Sequence, residues 1–202
     1  MKFSIAQCFV MLSLFSPLST YAADEISDTA TGVTFPKEVS FDAQGKDYQL
    51  DATGVSTRKK LIIKVYSVAH YLQKGAHKAG GDKIQEILSD QNAKQLTIKW
   101  VRGVTSEQIQ EGYRDSFKAA IAEPAFGQLQ NEMNVFVGLF KNKADKGDEH
   151  VIRWIPGGTI EVYLNGEKAG SIKNEAFAKG LWGIWFGSKS VVNRDNLISL
   201  MK

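Results

Sequence analysis

The stretch from Val151 to Ile172 reads VIRWIPGGTIEVYLNGEKAGSI, and it decides the fold class. Two runs rich in β-branched and aromatic residues, Val151–Ile155 and Thr159–Leu164, are divided by Pro156-Gly157-Gly158, and Asn165-Gly166 separates the second from Lys168–Ile172. Asn-Gly supplies the positive φ that a two-residue hairpin demands, and glycines after a proline turn a chain as tightly. Loops this short make successive strands antiparallel, because a parallel return needs a crossover of about a dozen residues or more.

Working upstream, Tyr48–Val55 and Lys60–Leu72 carry strand composition, with Gly54 and Ser56 predicting a kink or bulge between them. Gln95–Arg102 alternates Leu96, Ile98 and Trp100 against Thr97, Lys99 and Val101, as a half-buried strand does. Helical spacing takes over elsewhere. Asp82 is placed to cap a short helix ending at Leu88. Thr105 and Gln108 have the spacing of a capping box, and Ile109, Tyr113, Phe117 and Ile121 form one stripe before Pro124. Leu129, Met133, Phe136 and Phe140 predict a second helix, followed by a charged loop from Lys141 to Asp148. Downstream of the hairpins, Asn174 is placed to cap a helix whose Phe177, Leu181, Ile184 and Trp185 share a face, closed by Gly187. Strands, helices, strands and a helix in that order predict an α+β fold, a large antiparallel sheet with helices layered on one face.

The N-terminus predicts export. Lys2 precedes an apolar run from Phe9 to Leu18, about ten residues long and too short to span a bilayer, and Thr20-Tyr21-Ala22 offers a cleavage site after Ala22. Residues 1–22 therefore read as a signal peptide, 23–34 as a polar flexible lead-in, and 35–202 as one domain with no integral membrane segment in the mature chain. The only cysteine, Cys8, lies in the leader, so the mature chain has no thiol for a disulfide or a metal. A net charge of +3, spread without a long basic run, argues against nucleic acid as a partner. His70, His77 and His150 lack a metal-ligand spacing and read as ordinary polar positions, and Gly157-Gly158 lacks the strand-to-helix setting of a phosphate loop. No metal or cofactor is expected.

Three blocks taken together resemble the bacterial chalcone-isomerase-like family: Gly54 to Lys60 running into Lys64-Val65-Tyr66-Ser67-Val68, Trp100 to Ile109, and Ile155-Pro156-Gly157-Gly158 through Asn165-Gly166 to Trp182-Gly183-Ile184-Trp185-Phe186-Gly187. The similarity runs from about Phe35 to Met201. It implies an open-faced β-sandwich with a mostly apolar cleft between sheet and helices, in a family that includes plant isomerases closing chalcones to flavanones and plastid fatty-acid binders.

Because one fold hosts several activities, single residues must discriminate. The resemblance places Arg58 in the cleft, to polarise a carbonyl in an isomerase or to pair with a carboxylate in a binder. Tyr66 occupies the position of a tyrosine that helps the binders hold that carboxylate, although a core tyrosine is the plain alternative. Simple alternation puts Arg58, Lys60, Ile62, Lys64 and Tyr66 on one face, and two lysines on that face argue for a bulge. The isomerases' helix tyrosine falls at Ile109, and their lysine and asparagine near Gly112 and Ser116. Tyr113, one turn on, either substitutes or belongs to the core stripe. Trp182 lies at the flank of its helix stripe and is the candidate for cleft or partner contact.

These residues predict a periplasmic, non-catalytic binder of a small apolar acidic ligand such as a fatty acid, with Arg58, Tyr66, Tyr113 and Trp182 at the ligand. One alternative is an intramolecular lyase of the chalcone isomerase type using Arg58 and Tyr66. Another is an envelope module that binds a protein partner.

Overall fold

The computed structural model of the protein describes residues 24–202 apart from 123, so the signal peptide expected over 1–22 lies outside the described residues. In chain order the elements are β1 (Glu25–Ser27), β2 (Thr34–Pro36), β3 (Glu38–Ala43), β4 (Lys46–Lys60), β5 (Ile63–Gln73), α1 (Lys83–Leu88) and β6 (Lys94–Trp100). After them come α2 (Ser106–Ala120), α3 (Ala125–Gln128), α4 (Gln130–Gly138), β7 (Glu149–Ile155), β8 (Thr159–Leu164), β9 (Glu167–Lys173), α5 (Glu175–Phe186) and α6 (Arg194–Leu197).

Strands β3 to β9 form one seven-stranded antiparallel sheet in sequence order, so every strand pairs with its neighbours in the chain. Both turns expected between β7 and β9 form, with Gly157, Gly158, Asn165 and Gly166 all at positive φ. Asp90 clamps the first of them, accepting from the backbone N–H groups of Gly157 at 2.7 Å and Gly158 at 3.0 Å and from the Trp154 indole N–H at 2.6 Å. The predicted caps also form. Asp82, Thr105 and Asn174 each accept first-turn N–H groups, and Thr105 with Gln108 makes a complete capping box.

The helices lie over one face of the sheet. Leu96, Ile98, Ile152, Trp154, Ile160 and Val162 pack there in one continuous core with α2, α4 and α5. Helix α5 is the centre of that layer, with eight of its residues buried. The opposite face holds a smaller core of Phe35, Phe41, Tyr48, Leu50 and Tyr71.

Two expectations are corrected here. The polar lead-in expected over 23–34 is not loose in its described part, because Glu25–Ser27 pairs with Thr34–Pro36. The buried Asp28 carboxylate there accepts from Thr57 at 2.5 Å and Ser67 at 2.7 Å, tying the segment to the sheet. Nor is Lys60–Leu72 one strand. β4 runs unbroken past Gly54, with only a register shift between Ala52 and Gly54, and the chain turns instead at Leu61-Ile62. That turn hides in the sequence because apolar residues fill places where glycine or asparagine ordinarily stand. Finally, β3 and α6 are additional elements that short, mixed sequences did not signal.

Candidate functional site

A cavity of about 500 Å³ opens between the end of the β4–β5 hairpin, the end of β6 and the exposed side of α2. Its volume falls within the range of about 300–1,000 Å³ typical of small-molecule sites. Tyr66 and Trp100 from the sheet and Ile184 from α5 contribute to the lining, as do Ile109, Tyr113 and the open face of Gly112 from α2. Most of the wall is therefore apolar or aromatic.

Arg58 and Tyr66 are brought together by strand pairing. They face each other in the β4–β5 register, and the bulge suspected from the lysines lies immediately beyond, between Arg58 and Lys59. The extra residue is Val65 on β5, so Lys59 pairs with Lys64 and both are exposed, while Lys60 stays on the Arg58 side at the rim of the cavity. One Arg58 Nη donates to the Val191 carbonyl at 2.9 Å, which fixes the guanidinium after α5. Among the described residues it has no carboxylate at ion-pair distance. A half-buried cation without an anionic partner, lining a cavity, has donors left to offer to negative charge.

The Tyr66 hydroxyl accepts from the Trp185 indole N–H at 3.2 Å, and its ring meets Trp100 edge to face at 5.5 Å. Burial pushes its pKa up to about 12, with Arg58 and the Trp185 hydrogen bond pulling the other way. The phenol is thus protonated at physiological pH and acts as a donor. Tyr113 is held between Phe136 at 5.0 Å and Phe140 at 4.9 Å, and burial raises its pKa well above 10, with Tyr66 adding to the shift. It belongs to the core stripe and to the cavity wall at once.

Trp182 does not reach the cavity, which corrects its assignment to the ligand. It is fully buried, stacks edge to face on Trp154 at 5.4 Å, and donates to His70 Nε2 at 3.2 Å. That bond makes Nε2 an acceptor, so Nδ1 carries the proton toward Thr53 Oγ1 at 2.7 Å, and the Thr53 hydroxyl passes its own to the Leu197 carbonyl at 2.6 Å. His70 is held neutral, its pKa driven well below 6.5 by burial and then by Lys94. His150 likewise is a core acceptor, taking the Trp100 indole N–H at 3.2 Å. Among the described residues no three His, Cys, Asp or Glu side chains cluster as metal ligands, and no helix is long and apolar enough to cross a membrane.

The helix positions that the resemblance assigns to isomerase chemistry do face the cavity, and they carry Ile109, Gly112 and Ser116. Ser116 spends its hydroxyl proton on the Gly112 carbonyl one turn back, at 2.6 Å. What the site offers is a fixed cation, a neutral phenol donor and an apolar wall. Trp185, Trp100 and the Val191 carbonyl were not anticipated as parts of it. The one signal in the sequence is that a buried indole N–H needs an acceptor.

The model of the chalcone isomerase-like family matches residues 27–197. The chain belongs to that family. Among solved structures, the crystal structure of a fatty-acid binding protein of Arabidopsis thaliana is similar with a TM-score of 0.72 at 16% identity, covering 87% of this chain and 96% of that one. At that identity the likeness establishes the chalcone isomerase-like fold. No curated protein matches the sequence.

Proposed function

We propose that the protein is a non-catalytic, exported binder of a small apolar acid, with a fatty acid as the ligand class and the periplasm as its place of action. The observation that carries this is Arg58, a cation with no acidic partner among the described residues, set beside the protonated Tyr66 phenol at the wall of a mostly apolar cavity. A guanidinium fork and a phenol O–H are enough to fix a carboxylate, while the apolar wall takes the chain. The fold is shared with a protein that is itself a fatty-acid binding protein. Export rests on the leader read over 1–22.

A lyase of the chalcone isomerase type is the second reading, favoured by Tyr113, which lines the same cavity one turn after Ile109. Arg58 and Tyr66 would then stabilise developing negative charge on a ketone oxygen. Native mass spectrometry of protein purified from its own cells, wild type against Arg58→Ala, separates the two. An acyl acid present in the wild type and lost in the variant is the expected result. An empty wild type that turns over a chalcone would replace the binding reading with the enzymatic one.

A further inference from the structure

The β4–β5 hairpin ends in the two most exposed large apolar residues described in the chain, Leu61 at 93% and Ile62 at 92%, and the next residue along, Ile63, is 48% exposed. Exposed Lys59, Lys60 and Lys64 flank them on both strands. Leu61 moreover sits at φ 57°. A hairpin turn with positive φ at its first central residue ordinarily takes glycine, and a bulky residue there costs local stability. Among the described residues nothing compensates, since both side chains project into solvent.

The tip is also the rim of the cavity. Lys60, Leu61 and Ile63 line its mouth, and Arg102 adds another positive charge there. The opposite rim, on α2, carries Glu111 and Asp115, so the lining lysine and the exposed aliphatic side chains come from the hairpin side.

From this we infer that the hairpin tip docks the protein on an anionic lipid surface, Leu61 and Ile62 entering the headgroup region and Lys59, Lys60 and Lys64 meeting lipid phosphates. Apolar side chains ringed by lysines form the pattern that binds such interfaces, and neither component holds a protein there strongly by itself. Docked in this way, the mouth of the cavity lies against the bilayer, where an apolar acid enters or leaves without crossing water. The docking surface stands on the hairpin alone; its link to ligand transfer rests on the binding function proposed above.

The test is sedimentation of the protein as purified from its own cells with vesicles of phosphatidylethanolamine and phosphatidylglycerol, against vesicles of phosphatidylcholine. Wild type is expected to bind the anionic vesicles at low salt, to bind the neutral ones at least about tenfold more weakly, and to be released as salt rises. Leu61→Asn/Ile62→Ser, which suits the turn and so keeps the fold, is expected to lower partitioning at least about tenfold with a thermal midpoint equal to or above that of the wild type. Lys59→Gln/Lys60→Gln is expected to remove the preference for anionic lipid. Equal binding by wild type and the Leu61/Ile62 variant, or no binding of anionic vesicles by wild type, overturns the proposal. So does hairpin-dependent self-association seen by light scattering without lipid, which would make a second copy the occupant. Mass spectrometry of the same samples reports bound acyl acid separately. Hairpin-dependent vesicle binding by a protein empty of ligand would sink the fatty-acid reading and leave the docking surface standing.

Discussion

Arg58 and Tyr66 make different predictions although they share a site. Removing the guanidinium takes away a charge-assisted contact worth about 1.5–3 kcal/mol, so Arg58→Ala should weaken binding of dodecanoate in calorimetry by about ten- to a hundredfold. Arg58→Lys should recover only part of it, because a point charge does not reproduce the fork. Unaltered dodecanoate affinity in Arg58→Ala would remove Arg58 from the site. Tyr66→Phe also strands the Trp185 indole N–H, so it should lower stability by about 1–3 kcal/mol as well as affinity. Lys94 governs a second property. It is fully buried over the Trp154 ring, 3.7 Å from its centroid, and burial lowers its pKa from 10.5 to about 7, with Asp90 opposing. The unfolded chain then binds more protons than the folded one between pH 7 and 10.5, so Lys94 makes stability rise with pH across that window, by at most about 1.4 kcal/mol per unit. His150, lowered to about 4 by burial, has the same sign between pH 4 and 6.5, where stability falls as the solution is acidified. Denaturant titrations across pH should show both slopes. Lys94→Met should flatten the alkaline one.

Helix α2 is the element whose sequence decides whether the cavity is open. Gly112 faces it, and a Cβ built there would meet nothing within 4 Å. Gly112→Ala should therefore add up to about 1 kcal/mol of stability by removing a helical glycine. Gly112→Trp should abolish ligand binding without unfolding the chain; full affinity in that variant would place the ligand elsewhere. On β4 the opposite holds for Gly54. A Cβ there would lie 2.1 Å from the Asn196 carbonyl oxygen and 2.7 Å from the Leu197 carbonyl carbon, because the end of α6 packs directly on this strand. Backbone cannot yield as a flexible side chain does, so Gly54→Ala should detach the C-terminal segment and lower the thermal midpoint by several degrees. The Asp90 clamp is similarly local in sequence and wide in effect. Asp90→Ala frees the Gly157 and Gly158 N–H groups and leaves the Trp154 N–H unpaired, and circular dichroism melts should show a loss of about 2 kcal/mol or more.

At the scale of the molecule, sheet and helices share one core, with Trp100, Trp154, Trp182 and Trp185 all in it. Tryptophan fluorescence and far-ultraviolet dichroism should therefore report a single coincident unfolding transition; separate midpoints would mean that the helix layer and the sheet unfold independently. The antiparallel sheet, the capped helices and the family were determined by the sequence itself, since Asn165-Gly166, the Thr105–Gln108 box and the stripe through Phe177, Leu181 and Trp185 act over a few residues, where backbone geometry and hydrophobic periodicity decide. Periodicity misled where a partner far along the chain intervened. Trp182 looked like the flank of a helix until His70, more than a hundred residues away, took its N–H, and the polar segment before β2 was ordered by Thr57 and Ser67 through Asp28. The turn at Leu61-Ile62 also needed the folded chain, as did the place of the bulge that the lysines argued for, because which residues face one another across two strands depends on register, and register is set by the whole sheet. The resemblance had already set Arg58 and Tyr66 at a cleft; tertiary structure showed them facing each other across β4 and β5 at the wall of a mostly apolar cavity, and it alone put exposed aliphatic side chains among lysines at the mouth.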